Sequence, residues 1–558
     1  MITKIKSLFH SHKILYLVLG IAIFFISAAA TDNYFELNKN LDIFQTLYKE
    51  LNTNYVDPVN PDKLVTTGID AMLESLDPYT NLITEDDLDN YKFQTTGKYG
   101  GIGSQVHDDG EYIVIAEPYE GFPAQRNGLQ AGDKIISIDD ISCKNKSVAD
   151  VSKLLKGVAG TSFKITISHA GSTEEITKEI KREEIAIKSV SYVGMINDEI
   201  GYLKYLQFTD ESSKQMSDEI KHLKKNNPSL KSLIIDVRGN PGGLLNEAVN
   251  IANFFIPRGF EVVSTRGKMD EWAKKYTALN MPLDVNMPLA ILTNHGSASA
   301  SEILSGVIQD YDRGVIIGQR TFGKGLVQTT RPLAYNYKLK ITTAKYYIPS
   351  GRCIQALDYS HRNADGSVGK VADSLKHQFK TKNGRKVFDG GGIEPDIKTE
   401  EVELSKLAEE LLIKNILFDF ATNYKIKHST ITTAKQFRLT DAEFDEFVNF
   451  ASSKNFEHKS ETENAMDAFK KQAEKELYFE DVKNEFDAVK NKLTRDKSQD
   501  IYHNKKEIKE LLENEIVSRY YYQKGRLEAD FNNDPAIIKA IDVLQNKTEY
   551  NHILNSLK

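Results

Sequence analysis

Two segments of the chain are apolar at consecutive positions: Leu233-Ile234-Ile235-Asp236-Val237 and Leu289-Ala290-Ile291-Leu292-Thr293. Such runs fit strands covered on both faces, as in a parallel sheet flanked by helices. Each is followed by a glycine-bearing loop and an amphipathic stretch, so residues 187–400 read as a parallel-rich α/β sheet. Residues 96–186 have a different texture. Short alternating strands such as Tyr112-Ile113-Val114-Ile115 sit among turn-setting glycines (Gly128, Gly132), with a helix expected near 147–155 and a strand at 163–167. That content makes a compact, partly open β-barrel. Upstream, Phe35, Leu37, Leu41, Ile43, Phe44, Leu47 and Leu51 mark a helical region over 31–95, interrupted at Pro58 and Pro61 and turned at Asp77-Pro78.

Beyond residue 400 the apolar spacing becomes helical, at Leu404, Leu407, Ala408, Leu411, Leu412 and again at Ile508, Leu511, Leu512, Ile516. Of 34 glycines and 14 prolines only Gly525 and Pro535 fall there, so 401–558 reads as an all-helical appendage without a catalytic constellation. Residues 1–13 carry Lys4, Lys6 and Lys13 and no acid; an apolar run over 14–30 follows, ending in Ala28-Ala29-Ala30. This is the pattern of an export signal, and both cleavage after Ala30 and retention as a membrane anchor fit it. The expected division is 1–30 signal or anchor, 31–95 helical, 96–186 barrel, 187–400 α/β core and 401–558 helical extension.

With 40% hydrophobic and 9% aromatic residues the chain is no disordered polymer, and a net charge of −7 argues against nucleic-acid binding through a global basic field. Cys143 and Cys353 make no disulfide framework and read as unpaired, with one long-range disulfide as the other reading. The 12 histidines form no HExxH pair, so neither metal nor cofactor is expected.

The candidate chemistry lies in three pieces. Asn294-His295-Gly296-Ser297-Ala298-Ser299-Ala300-Ser301-Glu302 joins a buried strand to a helix carrying Ile303, Leu304, Val307 and Ile308. A serine there exposes its hydroxyl beside N–H groups that lack helical partners, which suits acyl transfer, although serine is also a common N-cap. In Thr321-Phe322-Gly323-Lys324-Gly325-Leu326-Val327-Gln328, Lys324 stands between two glycines and shares a strand face with Gln328. Acting as a base near pH 7 means lowering a lysine pKa from about 10.4, at roughly 4.6 kcal/mol, which only a water-poor pocket supplies. A phosphate loop is the other reading, but Gly325 follows the lysine where GxxxxGK[ST] needs Ser or Thr. Third, Asp236-Val237-Arg238-Gly239-Asn240-Pro241-Gly242-Gly243 ends a buried strand in a turn suited to presenting backbone N–H groups, or is simply a strand-to-helix loop.

The order of these motifs, followed by Thr342-Thr343-Ala344-Lys345-Tyr346, Pro349-Ser350-Gly351-Arg352 and Gly392-Ile393-Glu394-Pro395-Asp396, resembles the carboxyl-terminal processing proteases, PDZ-containing serine proteases of family S41 with a Ser–Lys dyad. The resemblance implies a multidomain α+β protein: a PDZ domain over 96–186 and a ClpP/crotonase-like core, with helical N- and C-terminal regions. It implies Ser299 as nucleophile with Ser297 and Ser301 as neighbours, Lys324 as base, Gln328 assisting, and the amides of Ala300 and Gly243 as oxyanion hole. Gly101, Ile102 and Gly103 match the loop whose amides bind a peptide carboxylate. Some relatives carry an arginine where this chain has His169, which puts such an arginine switch in doubt.

The expected function is therefore an exported serine endopeptidase, periplasmic or cell-envelope, acting on unfolded or secreted proteins with free apolar C-termini. Membrane contact is expected only through 14–30 if uncleaved, and self-association or an adaptor through the helical regions stays open. The rival is a non-catalytic periplasmic PDZ scaffold on a degenerate protease fold. A crotonase-like acyl-CoA enzyme is disfavoured by the export signal and the PDZ-like region, and His295 is not needed as a base.

Overall fold

A computed structural model describes residues 34–555 apart from 364, 402, 455–460 and 494–496, so the signal or anchor expected over 1–30 lies outside the described residues. Two compact units are present: residues up to Leu82 with Thr330–Ile341, and Ile83–Thr329 with Thr342 onward. In the first, a helix covers residues 34–54 and a second runs Pro61–Glu74. Pro61 occupies the first turn, where a missing N–H costs nothing, and Asn60 caps it through Lys63 N. The Asp77-Pro78 turn is held by the Asp77 carboxylate, which accepts from the N–H groups of Tyr79 and Thr80.

The second unit begins with the PDZ-like region. Strands β1 (Ser104–Asp108), β2 (Ile113–Pro118), β3 (Lys134–Ile138), β4 (Ser162–Ser168) and β5 (Glu175–Lys181) form an antiparallel sheet in chain order. Helix α1 (Pro123–Arg126) and helix α2 (Val148–Leu155), capped by Ser147, accompany it. Ile113, Ile115, Ile135, Ile165 and Ile167, all fully buried, fill its core with Cys143. Strand Lys98–Gly101 pairs with Glu183–Ala186 and brings the two ends of the region together. Both cysteines are free thiols.

The sheet of residues 187–400 has six strands in the order β6 (Val190–Met195), β7 (Ile200–Tyr205), β8 (Ser232–Asp236), β9 (Leu289–Thr293), β10 (Val315–Gly318) and β11 (Ile397–Lys398). The first pair is antiparallel and the rest parallel. Alternate residues of the apolar runs enter separate cores. Leu233, Ile235, Leu289, Ile291 and Ile316 pack with α3 (Ser212–Asn226), α4 (Leu245–Ala252) and α5 (Ala300–Asp310).

Ile234, Ala290, Leu292, Val315 and Ile317 point the other way, and what covers them corrects the appendage reading of 401–558. Phe531, Ala536, Ile537, Ala540, Val543, Leu544, Tyr550 and Leu554 close that face. They come from the end of α6 (Lys505–Asp530) and from α7 (Pro535–Gln545) and α8 (Lys547–Asn555). Tyr550 also accepts from the N–H of Leu289, at 3.1 Å. The last helices are thus a layer of the core, while residues 407–451 and 501–517 form a helical cluster of their own. Among the described residues no helix is long and apolar enough to cross a membrane.

This layering makes a direct prediction. Ile537, 2% exposed, meets the sheet rather than solvent, so Ile537→Ala should lower the unfolding free energy by about 2–4 kcal/mol. Denaturant titration checks it; a loss under about 0.5 kcal/mol would mean α7 contributes little to the core.

Candidate active site

Helix α5 is buried along its whole length, and Ser299 stands half-buried at its N-terminus. The Ser299 backbone has φ 53° and ψ −110°, a conformation seldom adopted by a non-glycine residue. Two neighbours fix it there. The Ser297 hydroxyl donates to Val237 O at 2.8 Å and the Ser301 hydroxyl to Asn240 O at 2.9 Å, while Ala298 N donates to Asn240 O. The serine run is therefore stitched to turn 237–243. That turn comes so close that a Cβ on Gly242 (φ +99°) would lie 2.9 Å from both Ser299 Cβ and Ala300 N.

Gly243 pairs with Phe208 in an isolated parallel bridge: Phe208 N donates to Gly242 O and Leu244 N to Phe208 O. In that pattern the N–H of Gly243 points away from Phe208. Ala300 opens α5, so its N–H has no intrahelical partner. Neither N–H has an acceptor among the described residues.

Loop 321–325 is fastened to the serine run by one side chain. The fully buried Glu302 carboxylate accepts from Thr321 Oγ1 (2.6 Å) and Gly323 N (2.7 Å) on one oxygen. On the other it accepts from Ser299 N and Lys324 N, both at 2.8 Å. Tyr346 Oη adds a second tie, lying against Ser299 O (3.1 Å) and Lys324 O (2.5 Å). Phe322 N donates to Ser297 O. Lys324 lies in the loop before strand Leu326–Pro332, so the expected strand face shared with Gln328 does not form; Gln328 is on that strand and donates to Thr342 Oγ1 at 3.1 Å. Ser299, Ala300, Gly243 and Lys324 are thus brought together at backbone level, with Gln328 on the adjoining strand. His295 is exposed and faces Glu401.

Glu302, Tyr346 and Thr321 went unassigned in the sequence reading. Ser299-x-x-Glu302 has the capping-box spacing, a signal for Glu302's contact with its own helix start; its partners in loop 321–325 leave no such local mark.

Gly101, Ile102 and Gly103 form a separate place. Ala124 N donates to Ile102 O and Tyr119 N to Gly103 O, leaving the N–H groups of Ile102 and Gly103 without acceptors among the described residues. Gly103, at φ +72°, lies so near Phe122 that a Cβ would stand 2.5 Å from that side chain. His169 Nδ1 meets the buried Asp133 carboxylate at 2.7 Å.

A carboxy-terminal-processing protease of Bartonella bacilliformis is 35% identical over 355 residues, spanning 62% of this chain and 80% of the relative. The chain belongs to the carboxy-terminal-processing proteases. A CtpA-like serine protease of Staphylococcus aureus is 33% identical over 70% of this chain and 76% of its own length. Family models match for peptidase family S41 at residues 199–360, a PDZ domain at 114–168 and "Probable PDZ-protease, C-terminal helical domain" at 407–544. Among solved structures, the photosystem II D1 C-terminal processing protease aligns at 25% identity over 64% of this chain and 92% of its own, with TM-score 0.34. The chain is a serine peptidase of mixed α+β fold, and the non-catalytic scaffold reading gives way to this.

Burial pushes the Glu302 pKa up to about 7 from 4.5, against the pull of Thr321 and the three N–H donors. Between those values the folded chain keeps a proton that the unfolded chain has lost. This stabilising contribution is full below about pH 4.5 and is lost as pH rises through 7. The Tm advantage of wild type over Glu302→Gln should therefore be larger at pH 5 than at pH 8, measured by thermal melts. An advantage growing with pH would place the Glu302 pKa below its ordinary value.

Proposed function

We propose that this chain is an exported endopeptidase that binds the C-terminal tails of unfolded or secreted proteins at its PDZ region and cleaves them with Ser299 and Lys324. Two features support the residue roles. The N–H groups of Gly243 and Ala300 flank Ser299 without acceptors among the described residues, and a single carboxylate oxygen holds the N–H groups of Ser299 and Lys324. The second observation carries the reading, because it sets a serine and a lysine from distant segments side by side.

In the reaction, neutral Lys324 takes the Ser299 hydroxyl proton as Oγ bonds to the scissile carbonyl carbon. The Gly243 and Ala300 amides hold the developing oxyanion. The C–N bond breaks, the lysine ammonium protonates the leaving amine, and an acyl-enzyme ester remains. Water then attacks that ester, giving its proton to Lys324, and the ester oxygen recovers a proton as Ser299 leaves. Gln328, on the strand that follows the lysine loop, helps to orient the amine. Export rests on the 1–30 signal pattern, which favours the periplasm or cell envelope. Gly101, Ile102 and Gly103 receive the tail carboxylate, supported by the unoccupied N–H groups of Ile102 and Gly103.

Wild type incubated with an unfolded protein should yield fragments by mass spectrometry, whereas Ser299→Ala and Lys324→Ala should each yield essentially none while remaining folded, because dyad members act as a unit. Ser297→Ala should retain far more activity; if it were the dead variant, the nucleophile assignment would fall. Substrates with a free apolar C-terminus should bind roughly ten- to a hundredfold better than amidated copies, the difference made by one charge-assisted hydrogen bond. Competition assays with the two tails measure this, and equal binding would remove the tail-reading role from 101–103.

A further inference from the structure

Turn 237–243 carries the Gly243 N–H, and something must hold that turn on the side away from Ser299. Asp236, fully buried at its start, is paired with Lys204 Nζ at 3.1 Å and with Arg238 at 2.7 Å. Lys204 also donates to Arg238 O, at 3.0 Å. Two cations on one carboxylate leave one positive charge unbalanced in a mostly buried cluster. The balancing charge comes from the helical extension: Arg238 Nη1 donates to Asp534 Oδ2 at 2.7 Å.

Asp534 is itself tightly held. Its other oxygen caps α7, accepting from Ala536 N (2.9 Å) and Ile537 N (3.1 Å). Three residues earlier, Phe531 packs edge-on against Tyr202 and Tyr192, with ring centroids 5.0 and 5.6 Å apart. Tyr202 in turn donates to Asp236 Oδ2 at 2.7 Å. The helical extension and the catalytic turn therefore share one closed charge cluster, fixed from both ends.

We propose that Asp534 is a positioning residue for catalysis: through Arg238 it holds turn 237–243, and with it the Gly243 N–H, in register with Ser299. This rests on the oxyanion role proposed for Gly243. Donors aimed at an oxyanion act only within a few tenths of an ångström of their place, so a slackened turn lowers the chemical step and leaves substrate binding alone. A purely structural Asp534 would do the opposite, lowering thermal stability while leaving turnover per folded molecule unchanged.

The test uses the full chain and a fluorogenic peptide with a free apolar C-terminus. Asp534→Asn keeps an oxygen for the α7 cap and removes the charge that Arg238 needs. The expected result is a kcat about ten- to a hundredfold below wild type, KM within about twofold, and Tm within a few degrees. Asp534→Ser, which also keeps a side-chain cap, should behave alike and stands in if the Asn variant folds poorly. A kcat equal to that of an active, Ser299-dependent wild type would overturn the proposal and leave the protease reading intact. So would a loss that follows the unfolded fraction. A wild type whose cleavage survives Ser299→Ala would overturn the protease reading itself, and this proposal with it.

Discussion

One buried carboxylate holds the candidate active site together. Glu302 receives four donors from two segments that are remote in sequence, and two of those donors belong to Ser299 and Lys324. Where Glu302 is ionised, above about pH 7, hydrogen bonds to it contribute about 1.5–3 kcal/mol each against the cost of burying the charge, and a buried N–H left without an acceptor costs a similar amount at any pH. Removing the carboxylate would strand three backbone N–H groups at once. It would also release Ser299 from a backbone conformation, at φ 53°, that it does not favour. The strained Ser299 and the lysine loop thus depend on the same few atoms. The Ser297 and Ser301 hydroxyls perform the matching task toward turn 237–243.

The sheet that positions these pieces depends on chain far downstream. A parallel sheet must be covered on both faces, and α3, α4 and α5 cover only one. The second face is closed by α7 and α8, at the far end of the helical extension. The same extension reaches the PDZ region, where Tyr522 Oη and Gln125 Nε2 are 3.2 Å apart and Asn415 donates to Asp108 O. It is a working layer of the molecule.

Much of this was legible in the sequence. Unbroken apolar runs such as Leu233-Ile234-Ile235 announced strands covered on both faces, and the small-residue serine run announced a strand-to-helix junction. The rest was hidden for physical reasons. The apolar stripe of a helix shows that one face is buried but not what buries it, so α7 looked the same whether it met another helix or Ala290 and Leu292. Ser299-x-x-Glu302 is a local pattern, yet the carboxylate's weight lies in partners such as Gly323 and Lys324, which contribute backbone N–H groups that any residue could supply. The Arg238–Asp534 pair spans most of the core and has no local spacing to betray it.

Glu302 is placed to hold the proposed nucleophile Ser299 and the proposed base Lys324 in one geometry. The rate at which a fluorophosphonate probe labels Ser299 at pH 8 tests this most directly, since labelling reads the activated serine without requiring a substrate. Folded Glu302→Gln, matched to wild type by circular dichroism, should label at least about a hundredfold more slowly, because the dyad acts as a unit. Labelling at the wild-type rate would show that Ser299 and Lys324 keep their geometry without the carboxylate, and the claim would be wrong.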